Sequence, residues 1–152
     1  MSQTIDQNRI TCGEYLSDQR RELAGITDLG AHGALEKVED CLCNIYAVSY
    51  QMHFERIEPP SKNRGPAERE PLDRQLVNEM SSGLKNKAHV FQDIMKDPWK
   101  LGQAMVTAQQ GNGFPLIQMV NAAFIAKQAQ AAAQGKAQAK PQPENRPSGP
   151  TL

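Results

Sequence analysis

With 152 residues the chain has the length of one ordinary domain, and 17 basic residues against 17 acidic ones leave no net charge. The long-range field that would draw nucleic acid or an anionic membrane is therefore missing at the whole-chain level. No run reaches the roughly 18 apolar residues of a membrane-spanning helix, and the polar Met1 to Arg9 start lacks the apolar centre of a secretory signal. The expected location is the cytoplasm, with export by a route that needs no cleaved signal left open. Three cysteines, Cys12, Cys41 and Cys43, cannot all pair within one chain, and reduced thiols are the simpler reading.

Residues 1–10 read as a flexible polar lead. Thr11-Cys12-Gly13-Glu14 fits a capping box, in which the Thr11 hydroxyl and the Glu14 carboxylate each satisfy an orphan N–H at a helix start. A short helix to about Ala24 follows, with Tyr15, Leu16 and Leu23 as its few apolar positions. Gly25, Gly30 and Gly33 then mark a connection.

From about residue 34 to 57, Leu35, Val38, Leu42, Ile45, Ser49 and Met52 repeat at spacings of three and four, and Tyr46, Phe54 and Ile57 widen that stripe. The spacing predicts a long helix that Pro59-Pro60 stops. The proline- and charge-rich segment 59–71 reads as an exposed connection. A second long helix is expected from about 72 to 96, its seam made by Val77, Met80, Leu84, Phe91 and Ile94, with Lys87 the one break. Two helices of similar length, each with a seam, predict an antiparallel hairpin in an all-α fold.

Asp97-Pro98 has the form of an N-cap followed by proline at the first helical position. Leu101, Ala104, Met105 and Ala108 would be the buried side of the short helix that follows, which Gly111-Asn112-Gly113 ends. Trp99, the single tryptophan, opens this helix; packing against the hairpin is its favoured place, and an interface anchor is the alternative. Pro115 suits another helix start, after which Leu116, Met119, Val120, Ala123 and Phe124 share one face, with Ile117 and Ile125 flanking it and Gln118, Asn121 and Gln128 forming a polar strip. The Ala/Gln run beyond Gln128 has helix propensity and little to bury, and residues 135–152 read as a disordered tail. The expected organisation is one helical domain over 11–134 between the lead and the tail.

Chemical signatures are sparse. Cys41 and Cys43 lie about 200° apart on a helix, so they cannot share one ion, and no second Cys or His pair stands at zinc-finger spacing. Cys41 is expected to fill the seam and Cys43 to be a free thiol. His32, His53 and His89 stand alone in polar contexts and are expected to be solvated. Gly111-x-Gly113 lacks the lysine and the preceding strand of a phosphate loop. No nucleophile sits in a recognisable motif with a base, so neither catalytic nor cofactor nor metal residues are assigned.

The expected function is a non-enzymatic interaction or assembly protein, a structural subunit or adaptor whose partner is another protein or a second copy of itself. The expected partner-binding residues are Trp99, Leu116, Met119, Val120 and Phe124. Leu101-x-x-x-Met105-x-x-x-Gln109, followed by Gln118-x-x-Asn121-x-x-x-x-Ala126-x-Gln128, resembles the C-terminal helical region of flagellar and type III secretion rod subunits over less than a fifth of the chain. The Gly-Asn-Gly-Phe-Pro break departs from the helical continuity expected there. The resemblance implies one form of the assembly role, a secretion-apparatus subunit; a virion subunit is another form of that role. The alternative is a helical nucleic-acid- or regulator-binding module built on Lys62, Arg64, Arg69, Lys85, Lys87 and His89, although Glu68, Glu70, Asp73 and Glu79 are interleaved with them and argue for a solvated, salt-bridged surface.

Overall fold

In the computed structural model, residues 10–56, 65–86 and 90–139 are described, Val90 and residues 135–139 by their backbone alone. The fold is all-α. Its helices among these residues are α1 (Cys12–Ala24), α2 (Ala34–Phe54), α3 (Arg74–Asn86), α4 (Val90–Lys96), α5 (Pro98–Ala108) and α6 (Phe114–Ala139), with one 3-10 turn at Ala67–Arg69. None of the described helices is long and apolar enough to cross a membrane. The chain divides into two compact units, Met1–Val120 and Asn121–Leu152, so the boundary falls inside α6 and inside the domain expected over 11–134.

The first unit is built around α2. Its residues Ile45, Tyr46, Ala47, Val48 and Ser49 are all buried, and five consecutive positions sweep more than a full turn, so no face reaches solvent there. The stripe expected from the sequence is therefore too narrow a description: α2 is the central helix, touched by α1, α3, α4, α5 and the 3-10 turn. The hairpin of α2 and α3 is present, with α1 as a second close neighbour of α2. At the helix ends the expected stripe fails in the opposite sense. Leu35 and Phe54 are exposed, while Ala34 and Met52 near the same ends are buried.

Local capping chemistry sets the helix starts. At α1 the Glu14 N–H donates to Thr11 Oγ1 at 3.1 Å and the Thr11 N–H donates to Glu14 Oε1 at 2.9 Å, the capping box expected from the sequence. α1 buries Cys12, Leu16 and Leu23. At α3 the Leu76 N–H donates to Asp73 Oδ1 at 3.1 Å. The helix expected over 72–96 is described as α3 and α4, and the seam residue Lys87 lies outside the described residues. So do residues 1–9, Ile57, residues 59–64 of the 59–71 connection and the tail from residue 140 onward.

In the described part of that connection Pro66, Glu68 and Arg69 are exposed as expected, whereas its end at Glu70 and Pro71 is drawn against the helices. Thr11 and Pro71 form an antiparallel bridge, flanked by Cys12 N–H to Glu70 O and Leu72 N–H to Ile10 O, both 2.8 Å. Gln51, fully buried on α2, clamps the same segment: its Nε2 donates to Pro71 O at 2.8 Å and its Oε1 accepts from the Asp73 N–H at 2.9 Å. Glu70 is buried as well, paired with Arg56 at 3.3 Å. This end of a polar segment is held inside because its backbone and one carboxylate find buried polar partners.

Polar side chains also tie the helices together. Asn44 on α2 donates to Gln19 Oε1 on α1 at 3.1 Å and accepts from Ser81 Oγ on α3 at 2.5 Å. Val77 and Ser81 are the buried residues of α3, whereas Met80 and Leu84 of the expected seam are only half-buried.

Candidate docking site

An apolar open surface of the first unit is built on α5. Asp97 starts this helix, its Oδ1 accepting from Trp99 N–H at 2.9 Å and Lys100 N–H at 3.3 Å, with Pro98 at the first helical position. Thus begun, α5 carries two stripes at the same i, i+3, i+7 spacing. Leu101, Ala104 and Ala108 are buried, while Trp99, Gly102 and Val106 lie on the opposite side, about 160° away by helical rotation. Trp99 is 74% exposed and Val106 61%. The packing of Trp99 into the core, favoured from the sequence, is therefore corrected. The three buried positions already saturate the inward side, and a ring at position 99 is turned away from it.

The far end of α5 is fastened by a residue 88 positions earlier. Arg20 on α1 donates through Nε to Ala108 O at 2.7 Å, and through one terminal nitrogen to Gln110 O at 2.8 Å and Gly111 O at 2.6 Å. Gln109 answers by donating from Nε2 to Arg20 O at 3.0 Å. A guanidinium at a helix C-terminus satisfies carbonyls that have no partner in the helix and opposes the negative end of its dipole. Partial burial draws the Arg20 pKa down from its ordinary value.

The turn after α5 seats the start of α6. Gly111 and Gly113 have positive φ, +54° and +88°. At Gly113 a Cβ would lie 2.7 Å from Ser49 Cβ and closer still to Ser49 Oγ, so the backbone lies directly against α2. Phe114 then packs on His53, ring centroids 4.9 Å apart. His53 was expected in solvent; instead its Nε2 is buried, and like the buried Ser49 Oγ it has no hydrogen-bond partner among the described residues.

Seating α6 in this way buries Leu116, Ile117 and Val120 at 0%, 2% and 3% exposure. Leu116 and Val120 thus belong to the core of their own unit, a correction to their reading as partner-binding residues: the Gly113 contact on α2 turns that face of α6 inward. Of the five expected residues, Trp99 and Met119 are the two brought together. Met119 and the α5 residues Pro98, Trp99, Gly102, Gln103, Val106 and Thr107 line one groove of about 540 Å³. Phe124 belongs to the second unit, where it is half-buried. Helix α6 continues through the Ala/Gln run to Ala139, beyond the tail boundary expected at residue 135, because alanine and glutamine favour a helix even with nothing to bury.

The groove contains no ionisable side chain, and its one hydroxyl, Thr107 Oγ1, donates to Gln103 O at 2.6 Å. Gly102 forms a notch in its floor, where an added Cβ would meet no atom within 4 Å. Such a surface can bind an apolar group, and it offers no acid, base or nucleophile for chemistry. Two other hollows differ in kind. One of about 400 Å³ lies between Tyr46 and Tyr50 of α2 and Met80, Gly83 and Leu84 of α3. The other, about 630 Å³, is polar, and its Glu14 and Arg21 are already engaged by Thr11 and Asp18.

The remaining candidates for chemistry are occupied or enclosed. Cys12, Cys41 and Cys43 are free thiols and all buried, Cys43 included. Burial pushes the thiols up to about 12, about 11 and about 12, with Glu70, Glu22 and Glu39 adding to the effect in turn. Among the described residues no three His, Cys, Asp or Glu side chains gather into a metal-binding group. Of the cations expected for nucleic acid, Lys85 is paired with Asp40, a hydrogen bond that raises the lysine pKa, while Lys62, Arg64, Lys87 and His89 lie outside the described side chains.

No family model matches this chain, and comparison with curated proteins and with solved structures likewise returns no match.

The sequence singles out Trp99 and Met119 but does not reveal the groove that joins them. Gly102 passed unremarked as one glycine in a short helix. Its only signal was the i, i+3, i+7 relation to Trp99 and Val106 on the side away from Leu101, Ala104 and Ala108. Arg20 carried no local signal at all, since its partners are 88 to 91 positions away.

Proposed function

We propose that the chain is a non-enzymatic helical docking protein, a subunit or adaptor of a larger assembly, that holds a protein partner on the outer face of α5. Trp99 carries this reading. A tryptophan ring is among the largest apolar surfaces a side chain can offer, and here it stands 74% exposed beside the Gly102 notch and the exposed Val106. Burying such a ring contributes about 2–3 kcal/mol, and tryptophans dominate the anchor residues of protein interfaces. The lining is apolar and uncharged, and Met119 at its edge is a side chain that adapts to irregular partners. A rod-type assembly, which the resemblance of the 101–128 segment implies, is one version of this reading.

The test is site-specific photo-crosslinking in cells of the native host. A photoreactive residue at Gln103, inside the groove, is compared with one at the exposed Glu36 on α2, and each is repeated in a Trp99→Asp chain. A discrete protein adduct is expected from position 103 alone, and it disappears with Trp99→Asp. Adducts that are the same at both positions, or that persist without the indole, refute the docking role.

A further inference from the structure

Independently of what docks on α5, we propose that Asn112 is a self-modifying site. The Asn112-Gly113 step in the turn between α5 and α6 closes to a succinimide and opens to aspartate or isoaspartate, and the isoaspartate form unseats the start of α6.

The residue pair supplies the chemistry. Asn112-Gly113 is the sole Asn-Gly step in the sequence. The backbone nitrogen of Gly113 attacks Cγ of Asn112 and closes a five-membered ring, while the side-chain amide leaves as ammonia, taking up the proton that the Gly113 nitrogen gives away. Water then breaks one of the two ring bonds to that nitrogen. Cleavage at Cγ leaves an ordinary aspartate, whereas cleavage at the Asn112 backbone carbonyl carries the chain on through Cγ as isoaspartate. Water is the one reactant that comes from outside. A side chain on the residue after asparagine would shield the nitrogen, and glycine has none.

The fold leaves this step open. Asn112 is half-buried next to the exposed Gln110 and Gly111, so ammonia can leave and water can enter. The Gly113 N–H donates to Gln110 O at 3.3 Å, a weak hold beyond the ~2.7–3.2 Å of an ordinary bond. The Asn112 side chain is turned forward along the chain, its Oδ1 accepting from the Phe114 N–H at 3.4 Å. To reach Phe114 it passes over the Gly113 peptide, which holds Cγ near the attacking nitrogen. The same Phe114 N–H faces the oxygen on which negative charge builds as the ring closes. The Arg20 guanidinium, bound to Gln110 O and Gly111 O, adds positive potential beside it, as does the start of α6.

The turn also separates the two products. Aspartate keeps the backbone as it is, and its carboxylate is a stronger acceptor for the Phe114 N–H than the amide it replaces. Isoaspartate adds one carbon to the backbone, about 1.5 Å, immediately before Gly113. Gly113 has no slack there: a Cβ on it would lie 2.7 Å from Ser49 Cβ, and Leu116, Ile117 and Val120 are buried just after it. The extra carbon therefore lifts Gly113 and Phe114 off α2 and loosens that face of α6.

Ageing the full-length chain at mildly alkaline pH, native and in parallel unfolded in urea, tests the proposal. Each sample is digested, and peptide mass spectrometry with separation of the aspartate and isoaspartate forms reads residue 112. A gain of one mass unit is expected there in the native chain, at a rate within about tenfold of that in urea, because the folded turn does not have to open first. Asn44 on α2 should stay unchanged. So should position 112 in an Asn112→Gln chain, whose longer side chain cannot close the five-membered ring. No conversion at Asn112, or conversion more than about tenfold slower in the native chain than in urea, overturns the site. The isoaspartate chain, separated by its charge and identified by digestion, should unfold at lower urea than the fresh chain, whereas Asn112→Asp should unfold at the same urea or higher. Equal midpoints for the isoaspartate and fresh chains overturn the unseating of α6.

Discussion

Gly113→Ala is the sharpest test of how the α5–α6 turn is built. The residue has φ of +88°, where an L-alanine carries about 1–2 kcal/mol of backbone strain. The new methyl would also stand 2.7 Å from Ser49 Cβ and closer to Ser49 Oγ, both on the central helix. Overpacking a tight contact costs about 1–3 kcal/mol, so the expected total is about 2–5 kcal/mol, a large part of the ~5–15 kcal/mol of a whole domain. Urea unfolding followed by far-ultraviolet circular dichroism measures it. The two contributions separate in a double-mutant cycle. Ser49→Ala removes the hydroxyl but leaves Cβ in place, so it relieves little, whereas Ser49→Gly removes both atoms and should recover the ~1–3 kcal/mol of overpacking while the backbone strain stays. A Gly113→Ala loss below about 1 kcal/mol, or no coupling to Ser49→Gly, would refute the packing described for this turn.

Arg20→Leu should lower stability by about 2–3 kcal/mol in the same assay, because three carbonyls at the end of α5 lose a charged donor and part of that loss is returned by water. Arg20→Lys should recover only part of it, since a single ammonium lacks the planar fork that reaches them together. The thiols give a pH dependence: their folded values, about 11 to 12, lie above the ordinary thiol value of 9.0. The folded state thus holds these protons more tightly, and the stability they contribute is fully present below about pH 9 and falls as pH rises toward 12. Urea midpoints between pH 7 and pH 10.5 should decline at the alkaline end, less so in Cys43→Ala, and a thiol reagent at neutral pH should label the native chain only as fast as it unfolds. Gly102→Ala should raise stability by about 0.5–1 kcal/mol, since alanine favours a helix interior and its methyl meets nothing.

The legible parts of this fold are those set by neighbours in the chain. The Thr11–Glu14 capping box, the Asp97-Pro98 start of α5, the glycine turn at 111–113 and the three-four spacing of α2 all act within a few residues, and each emerged where it was expected. A seam read by periodicity, however, reports only that a helix has an apolar side. It does not count how many neighbours cover it, so the complete burial of α2 at Ile45 to Ser49 and the burial of Cys43 were missed.

Composition misled where polar groups find partners inside. Pro71 and Glu70 end a polar, proline-rich segment, yet Gln51 and Arg56 engage them. In the same way, the apolar face of Leu116 and Val120 looks identical in sequence whether it meets its own core or another chain. The contact of Gly113 on Ser49 decides for the core, because it fixes the direction in which α6 starts.

The order of the residues alone thus accounts for the helical class, the helix starts and the turns, all governed by backbone hydrogen bonds and steric preferences that span three or four positions. The buried side of α5 was expected from the sequence at Leu101, Ala104 and Ala108, and tertiary packing decided that Trp99 stays outside it. Leu101, Ala104 and Ala108 fill the space beside the central helix, and Trp99, Gly102 and Val106 are left on the opposite side. That choice depends on volumes and hydrogen bonds contributed by residues such as Arg20, far away along the chain, which no local pattern encodes.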